Sequence, residues 1–94
     1  FQSVNKDMAF IFDKNINFSE IEDLILKSKI KNLTSVNLFD VYEGDKIGRD
    51  KKSYALNFTI CNDEKTLTDK DIHLVMDKIQ SKFENKFNAI LRDK

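Results

Sequence analysis

From Lys51 to Ile60 the chain alternates. Tyr54, Leu56, Phe58 and Ile60 fall on one side, and Ser53, Ala55, Asn57 and Thr59 on the other. Strand side chains point to opposite faces with a period of two, so this run predicts a strand with one buried and one open face. Antiparallel sheets commonly leave one face wet in this way. The run Val36 to Gly44 is also rich in β-branched and aromatic residues. A polar loop carrying both glycines of the chain joins the two runs, which is a hairpin signal. The first arm is out of phase: Val36 and Leu38 share one face, whereas Phe39 and Val41 share the other. A β-bulge near Leu38-Phe39 would shift the phase by one residue. Past it, Phe39 and Val41 are expected to turn to the core, and Asp40 and Tyr42 to the open face.

The same patterning organises the rest of the chain. Asp7 to Asp13 reads as a strand with Met8, Phe10 and Phe12 on one face and Asp7, Ala9 and Ile11 on the other. Apolar residues on both faces suit a central position in the sheet. After a turn at Asn15 to Asn17, a helix begins. Asn17 and Glu20 have the capping-box spacing, with Ser19 and Glu22 as the alternative pair, and Ile16 can staple to Ile21. Ile21, Leu24 and Ile25 form its apolar stripe. The helix should fade into a polar connection at Lys27 to Asn32. The strand of the second hairpin arm extends from Ser53 to Cys61, and Asn62 to Lys65 form a loop. Thr68 and Asp71 then predict a second capping box, with a Leu67–Ile72 staple. Ile72, Val75, Met76, Ile79 and Phe83 form the stripe of this second helix, and Asn88 can close it in the left-handed conformation. Ala89 to Arg92 reads as a last edge strand. The order β-α-β-β-α-β predicts an α+β, ferredoxin-like sandwich: a four-stranded antiparallel sheet with two helices on one face.

Length and charge narrow the picture. The 94 residues suit one domain with a modest core, and the chain begins at Phe rather than Met, as a piece of a longer protein would. No apolar run approaches the roughly 18 residues of a membrane span, and no secretory leader is visible. Sixteen basic residues balance sixteen acidic ones. The bulk basicity usual in nucleic-acid binders is therefore missing, so any RNA affinity must come from local placement. One cysteine allows no internal disulfide.

Most familiar site chemistry is absent. There is no Cys-x-x-Cys, and glycine is too scarce for a phosphate loop. Cys61 is read as a strand-end residue, His73 as solvated surface, and Asp69 and Asp71 as helix-capping carboxylates. A ferredoxin-like acylphosphatase would need an arginine-bearing phosphate loop after the first strand, which Lys14-Asn15-Ile16 does not supply. Two features remain. The open face carries mainly small and polar groups, a surface suited to a planar ligand such as a nucleobase. Lys46, Arg49, Lys51 and Lys52 in and beside the hairpin loop are possible phosphate contacts. The Phe10, Phe12, Phe58 and Phe83 stripe reads as core. A regulatory or protein-interaction module of the same fold, dimerising through its sheet without RNA, is the alternative function.

Five stretches carry a family resemblance: Val4 to Phe10, Val36 to Tyr42, Lys51 to Leu56, Thr66 to Asp69, and Ala89 to Arg92. Phe-Asp-Val-Tyr, Lys-Lys-Ser and Thr-Leu-Thr-Asp at these spacings form a specific combination. Together they resemble the ferredoxin-fold anticodon-binding domain, the module that closes the beta subunit of bacterial phenylalanyl-tRNA synthetase. The likeness covers nearly the whole of residues 1–94. The chain departs from the pattern at Gln2 (near a usual Pro), Lys6 (Arg), Asn57 and Cys61 (commonly basic) and Asn88 (Gly).

The resemblance implies a binding module without catalysis of its own, within a cytoplasmic aminoacyl-tRNA ligase of protein biosynthesis. The parent would use ATP and magnesium and assemble as two alpha and two beta subunits, with the chemistry in the alpha subunit. The module's partner would be the anticodon stem-loop of the phenylalanine tRNA, and no cofactor is expected in the module. The implied RNA-binding residues are Ala9, Asp40, Tyr42, Ser53 and Arg92. Tyr42 would stack, Asp40 would accept hydrogen bonds, Ser53 would donate or accept them, Ala9 would let a base lie close, and Arg92 would meet a phosphate or base. The plainer account of Asp40 and Ser53 is a hydrogen bond that shapes the hairpin.

Overall fold

A computed structural model describes residues 3–92; Gln2 lies outside them. The order is β1 (Val4–Asp13), α1 (Phe18–Ser28), β2 (Leu33–Tyr42), β3 (Lys51–Ile60), α2 (Asp69–Phe87) and β4 (Ile90–Leu91). The strands form one antiparallel sheet in the order β2-β3-β1-β4. β1 is central, as its two apolar faces predict. The ferredoxin-like expectation therefore holds, although β1 starts earlier than predicted and β2 both starts and ends earlier.

Both predicted capping boxes are present. In α1 the Glu20 N–H donates to Asn17 Oδ1 at 3.1 Å, and the Asn17 N–H donates to Glu20 Oε2 at 3.0 Å. Ser19 instead donates its hydroxyl to Asn17 Oδ1. In α2 the Asp71 N–H donates to Thr68 Oγ1 at 3.1 Å, and the Thr68 N–H to Asp71 Oδ2 at 2.9 Å. Asn88 closes α2 in the left-handed conformation. Lys29 closes α1 in the same way, and the connection that follows is less polar than expected, because Ile30 is buried.

The core fills the space between the helices and one face of the sheet. Met8, Phe10 and Phe12 of β1 and Tyr54, Leu56, Phe58 and Ile60 of β3 meet Ile21 and Ile25 of α1 and Ile72, Val75, Ile79 and Phe83 of α2. Phe83 sits edge-on to Phe10, with centroids 4.9 Å apart at 88°, and also packs against Phe12 and Phe58. Phe87 and Ala89 are buried too, beyond the predicted stripe. The buried Tyr54 hydroxyl donates to the Ile16 carbonyl at 3.0 Å, tying the sheet to the turn before α1. No helix among the described residues is long and apolar enough to cross a membrane.

The second capping box has a pH signature. The hydrogen bond from the Thr68 backbone holds the Asp71 carboxyl below the usual carboxylate range, and nearby Lys65 acts in the same direction. A value depressed by folding contributes stability above the unfolded value, about 3.9, and loses it as the pH falls through the folded value. Asp71→Asn should lower Tm at neutral pH, and its difference from the parent chain should shrink as the pH drops below about 4. Thermal melts across that range check this; a difference independent of pH would contradict it.

Candidate functional site

With both helices on one side, the other face of the sheet is left open. Its register sets three rows across the strands: Tyr42–Ser53–Ile11, Asp40–Ala55–Ala9 and Asn37–Asn57–Asp7. Ile90 of β4 extends the first row beside Ile11. Asn57 donates its amide to Asp7 Oδ1 at 2.8 Å, and Thr59 donates its hydroxyl to Asn5 Oδ1 at 3.0 Å, so the far end of the face is knitted by polar pairs.

The predicted bulge is present, with the register shifting between Leu38 and Asp40. The orientation expected of Phe39 is corrected. Leu38 still pairs with Leu56 on the helix side, and Asp40 already pairs with Ala55 on the open side. Phe39 is thus the extra residue itself, and it does not follow the shift into the core. It is 57% exposed and shares an open-face cleft with Ala9 and Ala55. Val41 does stand opposite Tyr54 on the helix side, but at the end of the sheet it stays 46% exposed. With Phe39 and Ile90 there, the open face is also more apolar than its β3 pattern suggested.

Arg92 reaches across this face. Its N–H donates to the Ala9 carbonyl at 2.8 Å, which seats it beside β1. Its guanidinium lies 4.9 Å from the centroid of the Tyr42 ring. The contact spans β3 and β1, from one side of the sheet to the other. Ser53 lies between Tyr42 and Ile11 in the register, within this span, and is only 2% exposed. The hairpin backbone closes in on the ring as well. A Cβ at Gly44 would come within 2.5 Å of Tyr42 Oη, so a larger residue there would displace the ring from its present position.

Asp40 is exposed, and its Oδ1 accepts the Val41 N–H at 3.0 Å, a local bond at the bulge. Beside it lies a cleft of about 770 Å³, lined on the open face by Asp7, Ala9, Phe39, Ala55 and Arg92 and continuing round the free edge of β1 to Met8, Leu91 and Met76 of α2. This is within the roughly 300–1,000 Å³ range of small-ligand sites.

The four basic candidates separate. Lys51 pairs with Asp13 on the open side. Lys52 points to the helix side, 4.8 Å from the centroid of Tyr54. Lys46 and Arg49 are exposed and make no ion pair among the described residues. The five RNA-binding candidates therefore gather on one face, while only part of the basic set points outward from the hairpin. Phe39, Asp7 and Gly44 were missed by sequence reasoning. The signal for Phe39 was its place at the bulge, where alternation stops assigning faces.

The description "Ferredoxin-fold anticodon binding domain" belongs to the family model that matches residues 1–92. Among curated proteins the chain is 48% identical over 92 residues to the phenylalanine–tRNA ligase beta subunit of Porphyromonas gingivalis. It is 45% identical to that of Bacteroides thetaiotaomicron and 38% identical to that of Streptococcus pneumoniae. In each case 98% of the chain is aligned, and it spans 11–12% of the relative's length.

Proposed function

The chain belongs to the ferredoxin-fold anticodon-binding domain family, and we propose that its open sheet face holds the anticodon loop of the phenylalanine tRNA on behalf of a phenylalanyl-tRNA synthetase beta subunit. The observation that carries this reading is the arrangement around the bulge. A carboxylate, Asp40, stands two residues from an aromatic ring, Tyr42, on an open face that also presents the exposed ring of Phe39. Single-stranded loop bases are held by this combination of stacking and edge hydrogen bonds.

Phenylalanine codons call for an anticodon that begins with guanine. Guanine's Watson–Crick edge presents two adjacent donors, N1–H and the exocyclic amine. A carboxylate accepts both, and each of its oxygens can take more than one hydrogen bond. The bond from the Val41 N–H therefore orients Asp40 and leaves acceptor capacity. On this reading the base enters between Tyr42 and Arg92. Their 4.9 Å separation must open to about two contact spacings of ~3.5 Å. The exposed cation–π contact is worth ~0.5–1 kcal/mol, against ~1–3 kcal/mol for stacking a base on an aromatic side chain. Stacking wins, and Ser53, beside Tyr42 in the register, is the further hydrogen-bonding group near such a base.

The parent enzyme would attach phenylalanine to its tRNA with ATP and magnesium, as a cytoplasmic assembly of two alpha and two beta subunits. No group of three or more His, Cys, Asp or Glu side chains gathers to hold a metal ion among the described residues. No step of that chemistry is assigned to this chain, and its contribution is positioning.

Three outcomes follow. In the intact enzyme, Asp40→Asn should lose about 1–3 kcal/mol of discrimination between wild-type tRNA and a variant altered at the first anticodon base. Charging rates measure it, and an unchanged guanine preference would reduce Asp40 to a hairpin residue. Ala55→Glu should impair tRNA binding while the domain still melts cooperatively, because half-buried Ala55 lies on the open face, where a carboxylate can reach water; unchanged tRNA binding by the folded variant would argue against this face as the RNA surface. Finally, with Lys46 and Arg49 as outward cations, and Arg92 as a third where it meets a phosphate rather than the base, a plot of log affinity against log salt should have a slope of about −1.4 to −2.1, from ~0.7 per phosphate on a single strand. A flat plot would argue against phosphate contact.

A further inference from the structure

Phe39 has no role in the core, yet it is a large ring held mostly in water. It stands at a cleft with alanines at Ala9 and Ala55, and Asp7 and Arg92 line the same space. No long side chain rises from those alanines, so a planar group can lie flat against the sheet. Three residues of strand, about 10 Å, separate Phe39 from Tyr42. Stacked bases are only about 3.4 Å apart. A base on Tyr42 therefore cannot also use Phe39.

We infer that Phe39 is the platform for a second loop base, splayed away from the first and seated on Ala9 and Ala55. The inference rests on the reading of the open face as the anticodon-loop surface. A phenylalanine ring stacks on any base, so selectivity must come from the polar groups lining the cleft. Asp7 engages the Asn57 amide through one oxygen, and its carboxylate retains acceptor capacity. It favours a base with an exocyclic amine over uracil. Adenine, which phenylalanine codons require at the second anticodon position, has that amine.

The test titrates the 94-residue chain with a short RNA stem-loop carrying the triplet GAA, and with loops abasic at the first or second position of the triplet. Phe39→Ala should weaken binding of the intact loop about 5- to 150-fold. That loss should persist when the first position is abasic and disappear when the second is. Phe39→Tyr should retain affinity. Melting curves check that the variants fold, and the abasic comparison with the unsubstituted chain tests the base's contribution without any substitution. No loss with Phe39→Ala, or an equal loss against every loop, overturns the inference. Sensitivity to the first base with indifference to the second overturns this inference alone. Failure of the unsubstituted chain to bind the intact loop, or indifference to both positions, overturns the functional reading and this inference with it.

Discussion

Phe83 is the contact on which the two layers depend. Its ring meets Phe10 and Phe12 from the central strand and Phe58 from the neighbouring one, so one helix residue grips two strands at once. Aromatic pairs of this kind add about 0.5–1.5 kcal/mol each beyond the area they bury. By drawing α2 onto that side, together with α1, the cluster leaves the opposite face of the sheet uncovered. The open face is thus a product of where the core is, and the side chains on it are released from packing.

Those side chains do not make a generically basic surface, since positive and negative residues are equal in number. Of the basic residues near the hairpin, one is tied to Asp13 and one lies on Tyr54. What the face offers is placement: a carboxylate and two rings brought near one another by a single extra residue in β2. The bulge costs one ladder position. In return it moves Asp40 and Tyr42 off the face that Leu38 occupies and onto the open side, with Phe39 turned outward beside them, which a regular strand could not do.

Much of this was legible before any coordinates. Strict alternation in β3 fixed its faces, and two capping boxes marked where both helices start. The mismatch of phase in β2 located the bulge. What it could not assign was the bulged residue, because period-two reasoning has no rule for a position without a partner, and Phe39 is that position. Ser53 was read correctly as an open-face residue, but neither its burial nor the reach of Arg92 across the sheet to Tyr42 was foreseen. The Arg92–Tyr42 contact joins residues 50 positions apart in the numbering, and no local pattern encodes it. The split among the basic residues was partly readable, since Lys51 and Lys52 are adjacent in a strand and must point to opposite faces.

β4 is only two residues long, paired with Phe10 and Ile11, and one further bond joins Arg92 to Ala9. So short a strand opens by local fraying, with no need for the whole domain to unfold. Backbone amides there should exchange with solvent far sooner than those of β1 and β3. Arg92 hangs from this weakest part of the sheet, so its availability is governed by a local equilibrium separate from global stability. A ligand that engages Arg92 would slow exchange at β4 while leaving the core strands as they were, and the C-terminal strand would report occupancy of a face whose other contacts lie on the far side of the sheet.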